Sequence, residues 1–511
     1  MIISLSVLVI TIIVSGTYAL YKTQLSKNIG VNTTTHGLAY YINYVKGTDI
    51  TAATLNPSTS YEGGASSDIE FWKKDDSYDI YGKIELTVNT IGTNLSNSPA
   101  LKYAVVNNGN VLKEGSLKGT TSGSKVTILK NLYLEQTKQI YTVYVWLDNS
   151  EELGNISNES LSISVDCTAS LQKEPTAADT IISLYTSAAK VTATNNSITY
   201  NTAPSVSLMN DRLGGTTTDL DGGNIRYYGA NPNNYIYFNC SDYSNQTSST
   251  CETWRIIGVF DGKLKLIKSE SIGAYSWDNK DTSTGAENDT GKNDWTTARL
   301  MKLLNPSNYY KVDSNDNNLG QSLYYNSASG KCYSGQNNAT VDCDFTSTGI
   351  KNAETRNMIA ETTYNLGGWN SNSVYSNQIY EYERGTTVYS GRPTTWKGKI
   401  ALAYPSDYGY AADLNQCKDK TLYDYDNRTC TSNNWMKAII TNNGSNTGWL
   451  LTPRSGSSSN AWYVNSGGFV SRDSIAYVAY GAVPVLSLSS ELGIESGAGD
   501  GSSSKPYKLS A

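Results

Sequence analysis

Six of the seven cysteines fall into three close pairs, and this spacing constrains the fold more than any other feature of the chain. Cys240 and Cys251 lie eleven residues apart, Cys332 and Cys343 eleven, and Cys417 and Cys430 thirteen. Each pair flanks a loop rich in Ser, Thr, Asn and Asp, where a short bridge is geometrically easy and an oxidising compartment closes it. The spacing predicts three local disulfides. Closing loops of this length removes up to roughly 3 kcal/mol each of unfolded-chain entropy, which matters where long polar loops bury little. Zinc ligation is the rival reading, but it calls for CxxC-type spacing and usually His, and neither is present here. Cys167 stands alone at the end of a strand-like run and reads as a small buried residue, with an intermolecular bridge as its alternative.

A chain of 511 residues exceeds what one hydrophobic core organises, so two or three domains are expected. Charged residues make up only 17 %, and the balance of Asn, Ser, Thr and Gly favours turns and hydroxyl-decorated strands over long helices. The net charge is -6 with Lys and Arg scattered, which offers no electrostatic footprint for nucleic acid or for anionic lipid. Tyr outnumbers Phe by 39 to five, an excess of rings with a polar handle that suits half-exposed positions on strands.

Residues 2–20 carry no charge and are dominated by Ile, Val and Leu, long enough to span a bilayer or to form a signal-peptide core. Thr17-Tyr18-Ala19 favours cleavage and the near-spanning length favours an anchor; the missing Lys/Arg n-region leaves the true start open as well. Both fates export the rest of the chain, so membrane contact is expected only through this segment.

Period-2 runs follow: "KIELTVNTI" from Lys83, "LKYAVV" from Leu101, "KVTILKNLYL" from Lys125, "YTVYVWLD" from Tyr141 and "LSISVD" from Leu161. Their regular spacing predicts a β-sandwich over 26–168, after a signal or anchor at 1–25. Asn107-Asn108-Gly109-Asn110 supplies hairpin chemistry. Residues 169–200 change to a helical period with Ile181, Ile182, Tyr185, Ala188 and Ala189 on one face, and predict a helical linker. A larger α+β domain is expected over 201–490, opened by "CETWRIIGVF" and "KLKLIKS" around the turn Asp261-Gly262. It should contain two amphipathic helices, one after Asp294 with Trp295, Ala298, Met301 and Leu304 on a face and one in "KNAETRNMIAETTY". "GKIALAYPSDYGYA", "GWLLTP", "AWYVNSGGFVS" and "VPVLSLS" are read as late strands. Residues 491–511 form a Gly/Ser-rich tail. The fold class is thus mostly β with α+β.

The chain has one histidine, His36, far from the larger domain, which excludes Ser-His-Asp, Cys-His and HExxH machinery there. The nearest phosphate-loop match, Gly285 to Gly291-Lys292, has the wrong spacing and Asn293 where Ser or Thr should stand. Asp278, Asp281, Asn288, Asp289, Asn293 and Asp294, and again Asp313, Asn315 and Asn317, supply hard oxygens for calcium, but the second run lacks Gly and Glu at the required loop positions, with Tyr324 at the last. They read as solvated loops, and no metal or cofactor is expected.

The order of landmarks from about Cys240 to Leu488 resembles the C-type-lectin-like fold in the version shared by formylglycine-generating enzymes and many bacterial surface proteins. The resemblance is carried by Trp254-Arg255-Ile256-Ile257-Gly258, the "DW…L…LN…YY" segment ending at Tyr310, "AYPSDYGYA", "WLLTPRSG", "AWYVNSGGFVS" and "GAVPVLSLS". The ending "GDGSSSKPYKL" is similar to that of a lineage of Gram-positive gut-type surface proteins. The first domain is similar, through "TYAL" and the strands after it, to the exported camelysin and TasA group. Formylglycine-generating enzymes oxidise with copper held by a cysteine pair; the cysteines of this region are committed to local bridges, so that chemistry is not carried over. The resemblance implies an exported surface binding or adhesion protein that recognises a glycan or an extracellular protein, and not an enzyme. The alternatives are an exported carbohydrate-active or oxidising enzyme and a structural matrix subunit. The expected ligand face lies between Trp449 and Tyr480, with Tyr463, Arg472, Tyr477 and Arg454 outward and Trp449 and Trp462 as core candidates.

Overall fold

The computed structural model describes residues 23–25, 41–51, 55–151, 153–156, 158–212, 223–243, 245–279, 290–311, 320–333, 341–442, 446–495 and 497–510. The export segment at 2–20, His36 and the acidic positions Asp281, Asn288, Asp289, Asp313, Asn315 and Asn317 lie outside them. Among the described residues no helix is long and apolar enough to cross a membrane. The chain is β-rich with short helices and divides into two units, Met1–Glu174 and Pro175–Ser510.

The first unit buries apolar residues between two sheets. One runs, in spatial order, through Thr23–Leu25, Leu161–Ser170, Tyr81–Ile91 and Lys125–Tyr133; the other runs through Ile42–Val45, Ala65–Lys73, Ile140–Asp148, Leu101–Asn107 and Asn110–Ser116. Strict alternation along Tyr81–Ile91 sends Ile84, Leu86 and Val88 inward, where they meet Ile163 and Val165 of their own sheet and Ile69, Phe71, Val143 and Val145 of the other. Each such side chain contributes about 1.5–3 kcal/mol by leaving water. Truncating Phe71 to Ala would cost about 3–5 kcal/mol, because the site is closed on all sides. Asn108 and Gly109 take positive φ values of 50° and 76°, the backbone that a two-residue hairpin between Leu101–Asn107 and Asn110–Ser116 requires. The strand Ala65–Lys73 is absent from the sequence reading because its buried positions include the polar Ser67 and Lys73, which break the apolar alternation. Cys167 is buried within Leu161–Ser170 as a free thiol, and burial pushes its pKa well up.

The second unit starts earlier than position 201. Ala177–Ser187 is a helix whose N-terminus is closed by a reciprocal box, Thr176 accepting from the Asp179 N–H and Asp179 accepting from the Thr176 N–H. It is no free linker: Ala177, Ala178, Ile181 and Tyr185 are buried in the core of this unit beside Leu208, Ile225 and Leu264. Residues beyond it pair as the hairpin Val191–Asn195 and Ile198–Ala203, which correct the helical expectation to 200. The hairpin lies at the edge of a sheet that continues through Leu208–Asn210, Ile225–Tyr227, Glu252–Phe260, Lys263–Lys268, Val485–Ser487 and Ile400–Ala401. Asp261 and Gly262, at φ 49° and 70°, make the central turn. A second sheet runs through Ala274–Ser276, Ala479–Gly481, Gly448–Pro453, Asn460–Val464 and Val470–Ile475.

Two helix expectations are corrected. After Asp294 the chain makes an Asx turn, with the Asp294 side chain accepting from the Thr296 N–H and hydroxyl, and Ala298 is extended, so the helix is only Arg299–Leu304. That helix is buried all round instead of amphipathic, as are Trp295 and Ala298 before it. The second is equally brief, Ala353–Met358, and further short helices stand at Ser376–Glu383, Pro405–Tyr410, Arg428–Ser432 and Trp435–Thr441. In "GKIALAYPSDYGYA" only Ile400–Ala401 is strand; Pro405 presets φ and Asp407 accepts from the Tyr404 N–H, which starts a helix there.

The three bridges are Cys240–Cys251, Cys332–Cys343 and Cys417–Cys430, with Cα separations of 3.9, 6.0 and 4.7 Å. The first helps to anchor the Gly/Ser-rich C-terminal stretch. Gln246, inside its loop and buried, donates to the Leu509 carbonyl at 2.7 Å and accepts from the Leu509 N–H at 2.9 Å. Gly493–Ile494 pairs with Leu509–Ser510, and Tyr507 exchanges backbone bonds with Tyr235 and Tyr237. Gly501 sits at φ 76° with the Asn233 carbonyl where a Cβ would go, so the Gly there is required.

Three bridges and one buried thiol make a direct test. A thiol reagent should read no reactive cysteine in the native protein and a single one, Cys167, after denaturation without reductant. Three reactive thiols after denaturation would mean that one bridge is not formed.

Candidate functional site

In the second unit, charge is buried where the large sheet meets two helices. The turn Asp261-Gly262 sets Phe260, Lys263 and Lys265 at one end of the central strand pair, the helix Ser376–Glu383 brings Tyr380 and, at its C-cap, Arg384, and Pro405–Tyr410 brings Asp407. Arg226 donates to Asp211 at 2.5 Å and to Asp407 at 3.0 Å, and the Lys265 ammonium donates to the other Asp407 oxygen. All four side chains are at least nine-tenths buried. Burying an ion costs several kcal/mol, so the cluster holds only because two carboxylates face two cations and the remaining lone pairs are filled. Asn224 donates from its backbone and side chain to Asp211, and the Tyr404 N–H donates to Asp407. Burial pushes the Asp407 carboxyl up, but Lys265 and Arg226 outweigh it and leave the pKa below the usual range. Burial lowers the Lys265 pKa, and Asp407 offsets part of that. The Arg226 guanidinium also lies 4.5 Å from the Phe260 ring and 4.8 Å from that of Tyr410.

Above this cluster opens a cleft of about 400 Å³, lined by Asn224, Phe260, Asp261, Lys263, Lys265 and Ser487 from the sheet side. Glu361, Thr362, Thr363, Tyr364 and Asn365, with Tyr380, Arg384 and Tyr404, line the other. Thr362–Asn365 is a strand paired with Thr395–Gly398, and the Tyr404 hydroxyl ties it down, donating to the Asn365 carbonyl at 3.0 Å and accepting from its N–H at 2.8 Å. Arg384 lies 3.4 Å from the centre of the Tyr380 ring; its Nη1 donates to the Tyr380 carbonyl at 3.2 Å and to Glu383 at 3.3 Å. Polar groups converge on this cleft, and its size falls within the range of small-ligand sites, roughly 300–1,000 Å³.

The four residues expected at a ligand face stand apart from this cleft. Arg454 and Arg472 converge, but on Asp473: Arg454 Nη1 donates at 2.6 Å and Arg472 Nη1 at 2.7 Å, and Arg454 Nε is held by Asn370 at 2.7 Å. Tyr463 is half-buried with its ring 5.5 Å from that of Tyr480, which in turn lies tilted against Trp449 at 4.8 Å. Tyr477 is half-buried, and its carbonyl accepts from the Ser276 hydroxyl. Trp449 and Trp462 are core, at 1 % and 0 % exposure. None of the four lines the cleft. Of the proposed oxygen ligands that are described, Asp278 accepts from the backbone of Lys292 and Arg299, Asn293 donates to the carbonyls of Arg454, Ser457 and Asn460, and Asp294 caps its own turn. Among the described residues no three His, Cys, Asp or Glu side chains gather as a metal site.

Sequence reasoning missed Lys265, Tyr380, Arg384 and Tyr404. One signal was available: in "KLKLIK" Lys265 sits between Leu264 and Leu266, a cation in the middle of a central strand, and such a residue needs a buried partner. Arg384 carries no comparable mark.

No protein-family model and no curated protein matches the chain. Among solved structures, an acetyl xylan esterase from the rumen bacterium Butyrivibrio proteoclasticus is similar at 14 % identity and a TM-score of 0.15, covering 30 % of this chain and 34 % of that one. The chain thus spans about a third of that structure. A mutant of HCR/D is similar at 13 % identity and a TM-score of 0.14, covering 51 % of this chain and 76 % of that one. Likenesses this slight carry no assignment.

The buried carboxyl beside Arg384 makes the site sensitive to pH. Burial pushes Glu383 up to about 7 from the 4.5 of an ordinary Glu, against the pull of Arg384 and of the Ser406 N–H and hydroxyl. A folded pKa above the unfolded one means that the folded state holds the proton more tightly, so this stabilisation is complete below 4.5 and is lost as pH rises through about 7. Glu354 and Asp278, raised by burial to about 7 and about 6, act in the same direction. Urea unfolding from about pH 5 to about pH 8 should therefore show stability falling toward the alkaline side, with up to roughly 3 kcal/mol due to Glu383. Glu383→Gln, which keeps the neutral form, should flatten the profile; identical slopes in the two proteins would remove Glu383 from the response.

Proposed function

We propose that the protein is an exported binding or adhesion protein of the cell surface, and that its larger unit, a C-type-lectin-like domain, recognises a glycan or an extracellular protein. The observation that carries this reading is the cleft between Lys265, Arg384 and the strand Thr362–Asn365, whose walls are held by hydrogen bonds and ion pairs already in place without a ligand. Preorganisation of this kind lowers the ordering cost of binding. Three disulfides fit an oxidising compartment and support export. The order of landmarks from Trp254 to Leu488 supports the lectin-like assignment. The scattered charge argues against nucleic acid as a partner, and the apolar residues 2–20 would supply any contact with the membrane.

Binding of the purified chain to a panel of cell-wall and mucin-type glycans and extracellular proteins, compared across two variants, tests the reading. Thr363 is exposed and lines the cleft, so Thr363→Trp should fill it and weaken binding by about tenfold or more with the fold intact. Replacing Tyr463, Arg472 and Tyr477 together by Ala should leave binding near that of the parent. The opposite result, loss in the triple variant and none in Thr363→Trp, would move the ligand site to the hairpin of the second sheet.

A further inference from the structure

We infer that the cleft selects a carboxylated saccharide, of the hexuronate or sialate type, through Arg384; this rests on the cleft being the binding site. Two acids and three cations line it. Of the acids, Glu361 is paired with Lys397 and accepts from the Tyr309 hydroxyl, and Asp261 is engaged as well. Of the cations, Lys265 is neutralised by Asp407. Arg384 is paired with Glu383 through Nη1 at 3.3 Å, so the charge left over in the cleft is that of the Lys263 ammonium, which has no partner among the described residues, and beside it stands the outer edge of the Arg384 guanidinium.

Arg384 is presented for one kind of ligand. Its plane is fixed on the Tyr380 ring and its Nη1 is spent on the Tyr380 carbonyl and Glu383, while Nε and Nη2 have no partner among the described residues. Those two N–H groups form one edge of the guanidinium fork, which matches the two oxygens of a carboxylate in parallel hydrogen bonds. The rest of the lining combines the polar side chains of Thr363, Asn365 and Ser487 with the rings of Phe260, Tyr364, Tyr380 and Tyr404, a mixture of hydroxyl, amide and aromatic surface that suits a sugar ring.

The experiment titrates the full chain with glucuronate, N-acetylneuraminate and glucose, followed by calorimetry or ligand-observed NMR at low and high salt. Both acid sugars should bind more tightly than glucose, and their advantage should shrink at high salt. Arg384→Gln should weaken the acid sugars by about tenfold or more and erase the preference over glucose, and Arg384→Lys, which keeps the charge without the fork, should fall between. Lys263→Glu, at a half-buried rim position, should weaken the acid sugars as well and serves where Arg384→Gln fails to fold. Glucose bound as tightly as glucuronate, full affinity in Arg384→Gln, or no binding of either acid sugar would overturn the inference while leaving the cleft as a binding site. Acid sugars bound with full affinity by Thr363→Trp would overturn the cleft itself.

Discussion

The larger unit is organised around one buried carboxylate. Asp407 accepts from Arg226 on the strand Ile225–Tyr227, from Lys265 on the strand Lys263–Lys268 and from the N–H of Tyr404 at the start of its own helix. Three elements distant in sequence are thereby set to one geometry, since each oxygen of a desolvated carboxylate is served by a donor at hydrogen-bond distance. Removing that charge would strand Lys265, and leave Arg226 with Asp211 alone, in a medium where breaking a buried pair costs about 3–5 kcal/mol. The cleft is a consequence of this arrangement. Tyr404, fixed by the capping contact, ties down the strand Thr362–Asn365, and Asn224, fixed by Asp211, donates to the Tyr380 hydroxyl and sets the ring on which Arg384 lies.

Covalent closure does for the polar loops what this ion cluster does for the centre. The loops of the larger unit are rich in Asn, Ser and Thr and bury too little apolar surface to order themselves. The three bridges shorten the unfolded chain's freedom locally, and one of them has a reach beyond its own loop. By holding Gln246 in place, Cys240–Cys251 offers a ready donor and acceptor to the backbone of Leu509, so the last strand, Leu509–Ser510, docks although a Gly- and Ser-rich stretch precedes it. The abundance of Tyr has a related cause. Tyr380, Tyr404 and Tyr410 are buried, yet each hydroxyl finds a partner, and their faces accept the guanidinium or ammonium groups of Arg226 and Lys265 from the sheet and of Arg384 from a helix end.

Much of the architecture was legible in the amino-acid sequence because it depends on neighbours in the chain. The period-2 runs from Lys83 to Leu161 are strands in the first unit, Asn108-Gly109 and Asp261-Gly262 are the turns their positive φ values allow, and three near-equal spacings are three bridges. In each case the deciding energy lies within about a dozen residues: a pleat with one apolar face, a backbone that only Asn, Asp or Gly enters cheaply, a short loop to close.

What tertiary structure alone decided is which polar residues go inside and which side chains already hold partners at the surface. Arg226, Lys265 and Asp407 come together over sequence separations of up to 181 residues, and nothing local marks a charge that will be desolvated until its partner arrives. Arg454 and Arg472 were read as outward, and Asp473 accepts from both while Asn370, 84 residues from Arg454, holds its Nε, a partner that the local pattern does not register. Strands, turns and bridges are short-range and were determined by the sequence itself; the cleft is a long-range balance of burial cost against ion pairing, and only the assembled fold could decide it.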